Sequence, residues 1–143
     1  MSSTTQLVMA ALAMVLLTLA VALRMLAVRI AEMRTRRIHP QSTATSLQMA
    51  ARLQNVQAAD NFRNLFEVPV LFYALCATAL AANYIPSWLV LGAWLFVILR
   101  VAHSFIHCTY NKVMHRFPVF LAGFVVVVVL WVAFFLTLPG HVA

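Results

Sequence analysis

The chain has 143 residues, 64% of them hydrophobic and only 9% charged, with a formal net charge of +7. A soluble domain carries roughly a quarter charged residues, so no water-soluble fold hides this much apolar surface, and lipid must be part of the solvent. The length allows one domain. The positive excess is what cytoplasmic loops beside anionic headgroups call for, and no basic run interleaved with base-stacking aromatics points to nucleic acid.

Four apolar stretches predict an all-α integral membrane bundle of four transmembrane helices, over about 5–36, 45–82, 86–110 and 115–138. The first is apolar from Leu7 to Leu23 and continues with helical character through Arg24, Arg29 and Glu32. Its basic residues follow the apolar run, whereas those of a cleaved signal peptide precede it. His39-Pro40-Gln41-Ser42 breaks the chain. From Thr45 onward Leu47, Ala50, Leu53 and Val56 recur at helical spacing, which predicts an amphipathic extension of the second helix outside the hydrocarbon.

The apolar parts of the second and third helices, Val68 to Ala82 and Ile85 to Leu99, are short. A span needs about 20 residues, so Asp60 to Glu67 and Arg100 to His107 are drawn to the membrane boundary. Asn83-Tyr84-Ile85-Pro86-Ser87 reads as a tight turn, with Pro86 suited to the first turn of the third helix. The fourth helix runs from Phe117 to Leu138 and ends at Pro139-Gly140. Its Val125–Val129 run would read as strand in water; in lipid the backbone must bond internally and helix wins. Gly92-Ala93 and Ala122-Gly123 offer close helix contacts.

Arg34, Arg36 and Arg37 lie between the first two helices, and Lys112 and Arg116 between the last two. The N-terminus, the turn at 83–87 and the C-terminal tail carry no charged side chain, so both termini are expected to face away from the cytoplasm. Tyr84 and Trp88 suit the far interface as aromatic anchors. The compact chain and the lack of a retention signal suggest a bacterial inner membrane. Cys76 and Cys108 belong to no CxxC pair and read as reduced, buried thiols.

Charges at membrane depth are costly and tend to mark function. On the second helix Asp60, Asn64 and Glu67 share one face, Arg63 neighbours Glu67, and Pro69 predicts a kink. On the third helix Arg100, His103 and His107 share a face that Tyr110 and Asn111 extend; Arg116 then opens the fourth helix. Two such faces are most cheaply buried against each other, with an ion pair from Arg100 to Glu67 or Asp60. They could equally act only as interhelical glue. His103 and His107 have the i, i+4 spacing of a metal-binding pair, but no second pair stands on another helix, and His141 is at the wrong side. Ser104 lacks the context of a nucleophile and is expected to bond its own backbone.

At these clusters the sequence resembles the MAPEG family, the membrane-associated proteins in eicosanoid and glutathione metabolism. Arg63-Asn64, Glu67 and Pro69 match most of its second-helix pattern; Arg100-Val101-Ala102-His103-Ser104 and Arg116 match its third-helix pattern and the arginine opening the fourth. The resemblance implies a homotrimer of four-helix subunits that binds glutathione as co-substrate between neighbours, near the cytoplasmic face. It implies that Arg116 stands by the sulfur as the catalytic residue. Arg63, Asn64, Glu67, Arg100 and His103 would hold the rest of the peptide, with His107 at the place of a tyrosine in eukaryotic members. Arg29 or Arg34 could add a contact. Asp60 stands where the family usually has a second arginine, and Phe117 where some members have a hydroxyl.

The activity implied is a thiol-dependent transferase or peroxidase acting on a lipophilic electrophile, with lipid and other copies of the chain as partners, and neither metal nor nucleic acid. Two further readings stand beside it: a non-catalytic membrane scaffold of the same fold, favoured by Asp60, and a small carrier or channel, against which no internal repeat is seen.

Overall fold

In a computed structural model of the protein, residues 1–139 are described. Gly140 and His141 lie outside them, and with them the expected Pro139-Gly140 stop. The described residues are helical throughout, without strands. The elements are α1 (Ser3–Thr35), a 3-10 turn (Pro40–Thr43), α2 (Ser46–Arg52), α3 (Gln57–Asn64), α4 (Val68–Ala81), α5 (Ser87–Cys108) and α6 (Val113–Thr137). Four stretches are long and apolar enough to cross a membrane: α1, α3 with α4 (Gln57–Ala81), α5 and α6.

The helix expected over 45–82 is broken twice, and both breaks have a chemical cause. The first lies between α2 and α3. Thr45 and Gln48 form a reciprocal capping box that starts α2, and Leu53 is extended (φ −98, ψ 135). The amides that would continue the helix are taken by a carboxylate from elsewhere. Glu32 accepts from Gln54 N at 2.7 Å, from Asn55 N at 3.0 Å and from Asn55 Nδ2 at 3.1 Å. Arg36 Nη1 completes the knot, donating to Glu32 at 2.9 Å and to the Arg52 carbonyl at 2.7 Å. At 33 residues α1 is about 50 Å long. It therefore outruns the hydrocarbon core of about 30 Å, and its projecting end reaches this linker.

The second break, at residues 65–67, is Pro69's. Without an N–H, proline leaves the carbonyl four residues back unclaimed, and its ring crowds that carbonyl. The chain leaves the helix at Leu65 and re-enters at Val68 through Glu67 (φ −98, ψ −92). The two halves therefore need not share a face.

The core is apolar and interlocked. Leu7, Ala10 and Met14 of α1 meet Phe72, Leu75 and Ala79 of α4, Leu89, Ala93 and Phe96 of α5, and Val127, Leu130 and Phe134 of α6. Phe72 and Phe96 stack with centroids 4.7 Å apart. The opposite faces remain apolar and exposed, as lipid-facing surface must be: Leu12, Leu16, Leu19 and Leu23 on α1, Leu91, Ile98 and Phe105 on α5, Val125, Val129 and Val132 on α6. The valine run is helical, inside α6. The two small-residue pairs do permit close approach. A Cβ on Gly92 would strike Leu130, and one on Gly123 would lie 2.7 Å from Arg100 Nη2.

Candidate functional site

Every charged side chain falls between Arg24 and Arg116, and the topology gathers these residues at one end of the bundle. There α1 projects, α3 starts, α5 ends and α6 begins. Arg24 of α1 closes the end of α5, donating from Nε at 3.1 Å and Nη2 at 2.7 Å to the Cys108 carbonyl. The last turn of a helix exposes unpaired carbonyls with partial negative charge, so a guanidinium there is doubly favourable.

The polar residues of α5 point into the bundle. Arg100, His103 and His107 are all at most 2% exposed. Arg100 is turned toward α6, where Gly123 leaves it room. Its Nη2 donates to the Phe120 carbonyl at 3.0 Å, and its guanidinium carbon lies 5.4 and 5.0 Å from the Phe96 and Phe120 rings. Aromatic faces attract a cation without supplying a full counter-charge. Arg100 Nε, Arg100 Nη1 and His103 Nε2 are buried without a hydrogen-bond partner among the described residues. Such groups are costly and uncommon.

The charged residues of α3 and of the break that follows it point outward. Arg63 and Glu67 are exposed and Asn64 is half-buried. The expected ion pair from Arg100 to Glu67 or Asp60 does not form. Among the described residues the ion pairs are Glu32–Arg36 and, at a loose 3.8 Å, Asp60–Arg63. The residue α3 presents to α5 is instead Asn61, which is fully buried. Its Nδ2 lies 3.3 Å from Cys108 Sγ, and its Oδ1 accepts from Ser104 Oγ at 3.4 Å. Ser104 thus bonds across to α3, where its own backbone was the expected partner. Cys76 and Cys108 are both free, the first buried and the second half-buried.

Arg116 stands beside the α5 group, on the first turn of α6 and half-buried. Its Nη1 lies 2.9 Å from His107 Nε2 and donates to Asn111 Oδ1 at 2.7 Å. The same nitrogen lies 3.5 Å from His107 Nδ1, so this corner of the guanidinium sits beside both nitrogens of the ring. The remaining donors of Arg116, Nε and Nη2, have no partner among the described residues. His103 meets the same residue through its backbone, Nδ1 lying 3.4 Å from the Arg116 carbonyl.

The rings of His103 and His107 lie 5.6 Å apart edge-to-face, and among the described residues no three His, Cys, Asp or Glu side chains converge as a metal would need. Sequence reasoning missed Asn61, which looks like its neighbours Asn64 and Asp60. It also missed the role of Glu32, whose one signal was a carboxylate in a basic stretch.

Four apolar spans with their charge at one end define an integral, multi-pass membrane protein of the helical-bundle class. The sequence model of the MAPEG family matches residues 7–136, nearly the whole chain, and the protein belongs to that family. The family includes glutathione transferases and peroxidases, and its members commonly use glutathione. No curated protein and no solved structure matches the chain.

Proposed function

We propose that the protein is a thiol-dependent transferase or peroxidase that activates glutathione against lipophilic electrophiles delivered from the bilayer. The observation that carries this reading is Arg116, half-buried and held at one nitrogen while Nε and Nη2 remain free to donate. A free thiol ionises near pH 8.5, and an adjacent guanidinium favours the thiolate, which is the nucleophile. The proton leaves to solvent. The thiolate then forms a C–S bond as the electrophile releases its leaving group, or attacks the terminal oxygen of a hydroperoxide, forming an S–O bond as the O–O bond breaks; the sulfur is oxidised to a sulfenic acid, and the departing alkoxide takes a proton from solvent to leave as the alcohol.

The active form in this reading is a homotrimer, with both termini away from the cytoplasm and glutathione between neighbouring subunits. Two features support it. Arg63 and Glu67 are exposed and Asn64 half-buried on the single chain, so a second copy can close over them. Exposed apolar surface on α1 and α6 gives that copy somewhere to pack.

A scaffold without chemistry is the second reading, and Asp60 favours it by placing a carboxylate 3.8 Å from Arg63, where an anionic peptide would bind. Calorimetry of glutathione binding in buffers of different ionisation enthalpy separates the two. The enzyme reading expects saturable binding with about one proton released per site near neutral pH, and loss of that release in Arg116→Ala. Turnover of a chromogenic aryl halide falls about a hundredfold in the same variant, as when one donor to a developing anion is removed. Absence of binding by the wild-type protein leaves the scaffold.

A further inference from the structure

Among the described residues, three other than glycine take a left-handed φ: Arg37, Asn83 and Asn111, at 52°, 50° and 47°. Asn83 and Asn111 do comparable work in the backbone. Each turns the chain between consecutive spans, α4 to α5 and α5 to α6. Asparagine is one of the few side chains that tolerates this conformation. The two differ in what the side chain then does. The Asn83 side-chain amide makes no hydrogen bond among the described residues, while its backbone N–H donates to the Leu80 carbonyl at 3.1 Å, so the turn accounts for it. The Asn111 amide oxygen accepts from Arg116 Nη1 at 2.7 Å, the shortest contact that guanidinium makes.

That oxygen is presented from a fixed point. The Asn111 N–H donates to the Ile106 carbonyl at 2.9 Å, locking the turn onto the end of α5. His107, on the last turn of α5, reaches the same Nη1 at 2.9 Å. The Asn111 acceptor and the His107 ring therefore confine one corner of a long, otherwise rotamer-rich side chain. Preorganisation of this kind matters most where charge develops during reaction.

We propose that Asn111 is a positioning residue for Arg116: its side-chain oxygen, with the His107 ring packed beside it, holds the Nη1 corner so that the Nε and Nη2 edge stays presented to one place. This rests on the proposed function, in which that edge meets the glutathione sulfur. Asn111 need not touch glutathione. It sets where the guanidinium stands and, as a neutral acceptor, leaves the positive charge undiminished.

The test uses the full chain in detergent micelles, with glutathione as the probe and ultraviolet absorbance of the thiolate followed against pH. Two variants divide the roles. Asn111→Gly keeps the left-handed turn and removes only the amide. Asn111→Asp keeps the shape and an acceptor but adds a negative charge beside Arg116.

Asn111→Gly is expected to bind glutathione within about twofold of wild type while the midpoint of thiol ionisation rises by about one pH unit, with a matching tenfold fall in kcat at neutral pH. Asn111→Asp is expected to raise the midpoint as well, because the carboxylate offsets the guanidinium. A purely structural asparagine predicts that the isosteric Asn111→Asp titrates as wild type, and that result overturns the inference even if Asn111→Gly unfolds. Wild-type protein that binds glutathione without forming thiolate overturns the proposed function together with this inference. Wild-type thiolate that both variants reproduce overturns this inference alone.

Discussion

The polar residues of α3 and of α5 begin alike and end differently. Both sets lie at one end of the bundle, both sit at helical spacing on one face, and both interrupt otherwise apolar spans. On α5 they turn inward and are buried within the single chain, on α6 and its loop. On α3 the charged members turn outward, and Asn61 alone is buried against α5. The break at 65–67 is the physical reason. Pro69, in the first turn of α4, forces α3 to end at Asn64, so the apolar face of α4 does not dictate which residues of α3 face the core. What the contrast teaches is that helical periodicity tells which residues travel together, while the direction they face depends on what each helix packs against.

The largest test of the contrast is Glu32, which sets the path into α3. Glu32→Ala removes the acceptor for two backbone amides, the Asn55 amide and Arg36. It is expected to cost about 3 kcal/mol, the scale for hydrogen bonds to a charged group. Hydrogen exchange should localise the loss: amides of Gln54 and Asn55 exchange freely, while those in the middle of α5 keep their protection. Uniform loss across all helices would show that the outward set is not separately anchored.

Arg100 tests the inward set. Two of its buried donors are unsatisfied, and replacing a buried charge by an apolar group of similar size is often neutral or stabilising by about 1–4 kcal/mol. Arg100→Met is therefore expected to unfold thermally at or above the wild-type temperature. A marked fall would mean that the guanidinium, with its two aromatic rings, ties α5 to α6. Gly123→Ala probes the same packing from the other side. The added methyl lies 2.7 Å from Arg100 Nη2, and overpacking of this kind costs about 1–2 kcal/mol. In the Arg100→Met background most of that cost should vanish, because Met has no branched head to displace.

The smallest effect belongs to the outward set. Asp60 is paired with Arg63 only loosely and in solvent, so Asp60→Arg should leave stability unchanged within about 0.5 kcal/mol. In the proposed function it improves glutathione affinity by a few fold, the scale of an exposed charge pair of under about 1 kcal/mol. A change of a hundredfold would place Asp60 in a far drier environment than its exposed position on the single chain.

The sequence alone determined the four spans, because hydropathy in lipid leaves the backbone no option but helix. It determined that the two charged clusters share an end, since basic and uncharged connections alternate along the chain. The family pattern was legible too, carried by Arg63, Asn64, Glu67, Pro69, Arg100, His103 and Arg116, and the family match bears it out. Tertiary structure alone decided the rest. Leu47, Ala50, Leu53 and Val56 are spaced for one helix, yet Glu32 takes the amides of Gln54 and Asn55 from more than 20 residues away along the chain. The charges on α3 and α5 suggested a mutual ion pair, yet Gly123 and Phe120 offered Arg100 a nearer place on α6. Spacing along a chain records local periodicity, whereas the partner of a buried charge is chosen by whichever surface arrives with room and compatible chemistry, and that choice exists only once the helices have packed.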